Sequence, residues 1–202
     1  YAGTFHSLGA KILRKHAPLA QLPFDFVIYD SHDQKELIKA ILKQSNFSDK
    51  KFSPGSILHY ISQAKQELLP PVQYAQIAKG YFQELVAQIY SKYQRKLFEN
   101  YALDFDDLLM KTIELLQSQP QIQKFYSELF KYILIDEYQD TNFAQYLFTN
   151  LLANKHKNIT IVGDASQSIY SWRGANIQNI NQFKKDFQNT KTYLLERNYR
   201  SS

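Results

Sequence analysis

A chain of 202 residues with a formal net charge of +5 has room for one large domain or two small ones. Its 44% hydrophobic and 15% aromatic content excludes a disordered chain, and 6 glycines and 6 prolines exclude collagen-like and low-complexity classes. With no cysteine, disulfides, thiolate zinc sites and cysteine nucleophiles are excluded together, and no apolar run approaches the ~20 residues of a membrane span.

The charge excess lies wholly in the first half. Residues 1–103 hold 13 Lys and Arg against 8 Asp and Glu, while residues 104–202 hold 11 of each. A basic half fits a polyanionic partner, and a neutral half with clustered carboxylates fits a metal site. Taken alone, the charge fits an ordinary soluble surface with a few extra lysines better.

In chain order, Tyr1–Phe5 is a candidate strand. Ser31 and Gln34 have capping-box spacing ahead of Leu37, Ile38, Ile41 and Leu42 on one helical face. Ser53-Pro54 reads as a cap followed by proline at the first helical position, and Leu69-Pro70-Pro71 ends that helix. Apolar residues at 3–4 spacing from Tyr74 to Leu97 predict one long helix, with Gly80 a minor cost inside it. Asp104 caps a helix through Leu116. Beyond it, expected strands at Tyr132–Ile135, Ile159–Val162 and Thr192–Leu195 alternate with helices at Thr141–Leu152 and Ile177–Phe187. Such alternation implies a parallel sheet covered by helices.

Four short stretches carry the chemistry. Ile133-Leu134-Ile135-Asp136-Glu137 delivers two carboxylates at the carboxyl end of a buried strand, where open α/β sheets bind ligands. In a nucleotide hydrolase one such group holds Mg²⁺ and the next orients or deprotonates water. Gly163-Asp164 ends a second strand and precedes Gln167-Ser168, where a glutamine can reach a phosphate oxygen or a water. Tyr170, Trp172 and Arg173 put two rings and a cation together, suited to stacking on unpaired bases. Glu196-Arg197-Asn198-Tyr199-Arg200-Ser201 follows the third strand, and an arginine just past a strand end can reach a γ-phosphate as a finger. Taken singly, each reads more simply as an acidic loop, a turn glutamine, a buried aromatic cluster or a surface arginine.

Taken together, their order and spacing resemble the superfamily 1 DNA helicases of the PcrA/UvrD/Rep family over essentially the whole chain. The residues that carry the resemblance run from Thr4-Phe5-His6-Ser7 through Asp104–Leu109, Asp136–Asn142, Gly163-Asp164 and Gln167–Ala175 to Asn198–Ser201. The stretch Ala64–Pro71 looks most like the PcrA branch. The resemblance implies an α/β fold: a partial RecA-like parallel sheet of P-loop NTPase type with flanking helices, plus an inserted all-helical subdomain. Residues 1–7 and 103–202 would belong to subdomain 1A, and residues 8–102 to helical subdomain 1B facing duplex DNA.

The resemblance also implies the roles. Asp136 would coordinate Mg²⁺ and Glu137 would be the general base. Gln167 would sense the γ-phosphate of ATP, Arg200 would be the finger, and Tyr199 would stack on adenine. Thr4, Phe5, His6, Tyr170, Trp172 and Arg173 would contact single-stranded DNA. The implied protein translocates on single strands and unwinds duplexes with ATP in repair or replication. Its partners would be single-stranded and duplex DNA and repair or replication proteins; it would have no membrane and would lie in the cytoplasm. Two positions depart from the pattern: Ser166 stands where an acidic residue is usual, and Arg197 where glutamine is frequent.

A phosphate cradle needs glycine N–H groups and a lysine, yet the sequence has no GxxxxGK[ST] and no Gly-Lys pair. With Tyr1 in first place, this leads to the expectation of an internal piece of a helicase that does not hydrolyse ATP by itself and exposes a sheet edge. The alternatives are a P-loop-less, non-catalytic relative that binds DNA or a partner, and an unrelated α/β nucleotide binder with no preference for single strands.

Overall fold

The computed structural model describes residues 1–45, 47, 52–164 and 178–195. Its helices are α1 (Phe5–Lys15), α2 (Ser31–Gln44), α3 (Pro54–Gln66), α4 (Pro71–Ile77), α5 (Tyr81–Glu99), α6 (Phe105–Ser118), α7 (Pro120–Leu129), α8 (Phe143–Ala153) and α9 (Gln178–Asp186). The strands are short: β1 (Val27–Ile28), β2 (Ala102–Leu103), β3 (Ile133–Ile135) and β4 (Ile159–Ile161). They form two separate parallel pairs, β1 with β2 and β3 with β4, in the registers Val27 to Ala102 and Ile133 to Ile159. The architecture is thus helix-rich with short parallel sheets.

Parallel strands cannot be joined by a tight turn and need a crossover. Between β1 and β2 that crossover is the whole of α2–α5. Its residues bury one core, with Ile38, Leu42, Ile57, Ile61, Val86, Ile89, Tyr90, Tyr93 and Leu97 almost wholly inaccessible. A second core joins Ile12 and Leu13 of α1, Phe26 and Leu103 to Leu108, Leu109, Ile113 and Leu116 of α6 and Phe148 and Leu152 of α8. A third, small cluster of Ile135, Tyr138 and Phe183 lies beneath the end of β3.

Helix starts follow capping chemistry. Asp104 accepts the N–H of Asp107 at 2.8 Å, and Asp107 accepts the N–H of Asp104 at 3.3 Å, as the sequence leads one to expect for this helix start. The expected helices at 141–152 and 177–187 are found as α8 and α9, and Pro54 opens α3. The α2 box sits one residue earlier than its spacing suggests. Asp30 accepts from His32 and Asp33 at 2.7 and 3.0 Å, and Asp33 accepts from Asp30 at 3.1 Å. Gln34 instead donates its amide to the carbonyl of Tyr29.

Three expectations are corrected. The helix foreseen from Tyr74 to Leu97 is two helices, because Gly80 has φ +92° and forms the start of α5. Glycine carries little steric penalty there, so it breaks the helix rather than weakening it. Tyr1–Phe5 is not a strand: the hydroxyl of Thr4 accepts the N–H of Ser7 and Phe5 starts α1. Thr192–Leu195 is irregular, with Tyr193, Leu194 and Leu195 at least 79% exposed and no strand beside them among the described residues.

One polar cluster joins the two larger cores. Lys65 of α3 is inaccessible, and its Nζ lies 2.7 Å from Asp104 and 2.8 Å from Asp107 at the start of α6. The Tyr93 hydroxyl donates to Asp104 at 2.9 Å, and the Gln94 amide donates to Asp107 at 3.1 Å. Beside them Ser62 and Gln66 donate to Asp106 at 2.6 and 3.3 Å. Burial opposes the lysine's charge, but Asp104 and Asp107 outweigh it and raise its pKa. Lys65→Met strands the buried carboxylates, and a loss of about 3–5 kcal/mol is expected in denaturant unfolding.

Burial, with repulsion from Asp104 behind it, raises the Asp106 carboxyl to about 6. The folded state then holds this proton more tightly than the unfolded chain, so its contribution favours folding at low pH and fades as pH rises from about 4 to 6. Asp106→Asn is expected to remove that decline, by up to about 2 kcal/mol, when urea midpoints are compared at pH 4 and 7.

Candidate functional site

The strand β3 delivers Asp136 and Glu137 to its carboxyl end, where both are exposed. Glu137 has φ +51° and ψ +42°, a left-handed backbone rare for residues with a side chain. Its N–H donates to Asp136 Oδ1 at 2.9 Å, and it starts the 3₁₀ turn Tyr138–Asp140. The turn is pinned to the neighbouring strand: the N–H of Tyr138 donates to the carbonyl of Val162 at 2.9 Å. Gly163 and Asp164 therefore lie against the turn, brought there from far along the chain.

Below the turn, Tyr138 is fully buried and meets Phe183 edge-on with ring centres 5.8 Å apart. Burial, with Asp186 adding to it, raises the Tyr138 hydroxyl to about 12. That hydroxyl has no hydrogen-bond partner among the described residues. Asn179 of α9 donates to the carbonyl of Thr141 at 2.8 Å, fastening α9 to the end of the turn.

Thr4, Phe5 and His6 occupy the first turn of α1. Thr4 is exposed at the cap, while Phe5 packs against Phe148 with ring centres 6.4 Å apart. Phe5 also packs against the small cluster that supports β3, so the start of α1 and the Asp136–Glu137 turn share one apolar support. His6 meets Phe105 edge-on at 6.0 Å, and burial lowers its pKa. A groove of about 390 Å³ runs beside these residues, with Thr4, His6 and Phe105 on one part and Lys11 and Arg14 on another. Residues 1–24 contain no carboxylate side chain, so the basic charge here is not offset within that segment.

Of the residues expected to act, Thr4, Phe5, His6, Asp136 and Glu137 lie in two neighbouring places. Gln167, Tyr170, Trp172, Arg173, Tyr199 and Arg200 lie outside the described residues, as do Ser166 and Arg197. Among the described residues no three His, Asp or Glu side chains gather as a metal-binding group. A single carboxylate is nonetheless a fitting ligand for Mg²⁺, which keeps several waters and draws its remaining oxygens from phosphate. Asp136 suits that use, since it is exposed and, among the described residues, its one hydrogen bond is to Oδ1. The cradle for the phosphates is absent from the sequence, so these residues fit part of a nucleotide site.

Gln139 carries a role that its position in the sequence does not reveal. It is buried, donates to Glu137 and accepts from the backbone of Asp164. The available signal is a glutamine two residues after the carboxylate pair, which is weak by itself.

Residues 1–188 match the family model for the UvrD/REP helicase N-terminal domain. The chain belongs to this family. Proteins called ATP-dependent DNA helicase PcrA from Bacillus subtilis and Staphylococcus aureus are each 48% identical to it over all 202 residues, and one from Leuconostoc citreum is 46% identical. The chain spans 27% to 28% of the length of these relatives. As a UvrD/REP helicase N-terminal domain it is similar to PcrA from end to end. No helix among the described residues is long and apolar enough to cross a membrane.

The support beneath the turn can be tested by stability. Tyr138→Phe removes a buried hydroxyl with no partner among the described residues and is expected to leave stability unchanged or raise it by about 1 kcal/mol. Phe183→Ala empties the same contact and is expected to cost about 3 kcal/mol or more by thermal or urea unfolding.

Proposed function

We propose that this chain is part of an ATP-driven DNA helicase that moves along single strands and opens duplexes. The observation that carries the proposal is the exposed Asp136–Glu137 pair at the end of β3, locked against Gly163–Asp164, in a chain 48% identical throughout to proteins called ATP-dependent DNA helicases. The finer fold we propose is a partial RecA-like sheet of P-loop NTPase type, with residues 1–7 and 103–202 in subdomain 1A and residues 8–102 in subdomain 1B. The core shared by α1, β2, α6 and α8 would then be the joint between the two.

ATP with Mg²⁺ supplies the phosphoryl group and neutralises its charge when bound. On this reading Asp136 holds the metal and Glu137 accepts the proton of the attacking water. Gln167 and Arg200 act at the γ-phosphate, and Tyr199 stacks on the base of the nucleotide. DNA lies across Thr4, Phe5 and His6 and is stacked by Tyr170 and Trp172 with Arg173 beside them. The basic, carboxylate-free stretch through α1 supports a polyanion on that side. The protein would act in the cytoplasm with repair or replication partners.

Two measurements test this. In a longer polypeptide that also carries a GxxxxGK[ST] loop, single-stranded DNA is expected to stimulate ATP hydrolysis, and Glu137→Gln to lower it by about 10²-fold or more. The 202-residue chain alone is expected to hydrolyse no ATP, while its oligonucleotide binding weakens steeply with salt. DNA-stimulated turnover by the chain alone, abolished by Glu137→Gln, overturns the requirement for a separate phosphate loop. Binding indifferent to salt overturns the DNA reading.

A further inference from the structure

Gln139 is 1% exposed, yet it is built into a polar bridge rather than a core. Its Nε2 donates to Glu137 Oε2 at 2.5 Å, and its Oε1 accepts the N–H of Asp164 at 3.0 Å. The space it occupies exists because residue 163 is glycine. A Cβ there would stand 2.7 Å from Gln139 Oε1 and 3.3 Å from the Gln139 backbone nitrogen. Both ends of the carboxamide are thus used, one on a carboxylate and one on a backbone N–H of the next strand.

The chemistry explains the residue type. A carboxylate in this place cannot donate to Glu137, and a lysine cannot accept from Asp164. Asparagine is one methylene shorter. Glu137 also needs support, because a left-handed backbone costs a side-chain-bearing residue about 1–2 kcal/mol. Among the described residues Glu137 Oε1 has no hydrogen bond, so the bridge fixes one carboxylate oxygen and leaves the other available.

We propose that Gln139 is a positioning residue for Glu137: it clamps one carboxylate oxygen, ties it to the end of the β4 strand, and aims the other oxygen at the reacting water. The inference rests on the reading of Glu137 as the base in ATP hydrolysis. It adds that the base is held through the Gly163–Asp164 segment, so the approach of the two strand ends sets the base's position.

The test uses the full-length helicase polypeptide that carries these residues, with steady-state ATP hydrolysis on single-stranded DNA. Gln139→Met keeps the length and loses both hydrogen bonds. It is expected to lower kcat about 10- to 100-fold while KM for ATP and DNA affinity change less than about threefold. Glu137→Gln combined with Gln139→Met is expected to be little worse than Glu137→Gln alone, because the two act as one unit. Gly163→Ala, which forces the carboxamide aside, is expected to lower kcat in the same direction.

Three results overturn the inference. One is a Gln139→Met kcat within twofold of wild type. Another is a loss that adds in full to that of Glu137→Gln. The third is a parallel fall in kcat, DNA affinity and urea midpoint, which assigns Gln139 to the fold alone. If Gln139→Met does not fold, Gly163→Ala carries the same comparison. A wild-type protein without ATPase activity removes the reaction itself, and is thereby told apart from an active wild type with an unaffected Gln139 variant.

Discussion

The buried contact of Lys65 with Asp104 and Asp107 is the constraint on which the arrangement of the two large cores depends. The same two carboxylates that start α6 also receive the lysine from α3: one oxygen of each caps the helix and the other docks the layer. Apolar packing has no comparable direction: α3 could slide along α6 and lose little contact. A charge with no solvent beside it cannot slide, because every displaced ångström leaves carboxylate and ammonium without partners. Tyr93 and Gln94 of α5 complete the set, so three helices are fixed in register by two aspartates. Because forming the cluster first requires removing its charges from water, its net contribution to stability is smaller than the loss on removing one partner.

From α6 the constraint passes on. Its apolar face packs on α1, whose first turn holds Thr4, Phe5 and His6, and on α8 through Phe148. Phe5 then reaches the small cluster under β3. The proposed DNA-facing residues and the proposed nucleotide-facing carboxylates are therefore separated by one layer of aromatic and aliphatic side chains.

Much of this was legible in the sequence where a local rule decides it. Asp104 could be read as a cap because a capping residue precedes an apolar period, and β3 because an apolar run ends in two acids. Where the deciding partner is remote, reading fails. Gly80 looks like a tolerated glycine until its positive φ is seen. The strands β1 and β2 are two residues each, too short for any period to register. Thr192–Leu195 has the composition of a strand, but a strand exists only through its neighbour, and none lies beside it among the described residues. The role of Gln139 depends on Gly163 and Asp164, which no spacing rule connects to it. The carboxylate pair was legible, whereas the clamp that holds it was not.

The β1–β2 pair has a consequence for how such a chain can vary. Both ends of the long helical excursion leave and re-enter through two adjacent, hydrogen-bonded dipeptides, Val27–Ile28 and Ala102–Leu103. Whatever lies between them is, topologically, a single detour that begins and ends in the same place. It can be lengthened, shortened or exchanged without rerouting the remaining polypeptide. The parallel direction of the pairing sets a floor, however. Because the two strands run the same way, a tight turn cannot bridge them, and the smallest substitute is a crossover of about a dozen residues. By topology alone the excursion reduces to one helix and not to a hairpin, and any such reduction must also supply new partners for Asp104 and Asp107 in place of Lys65, Tyr93 and Gln94.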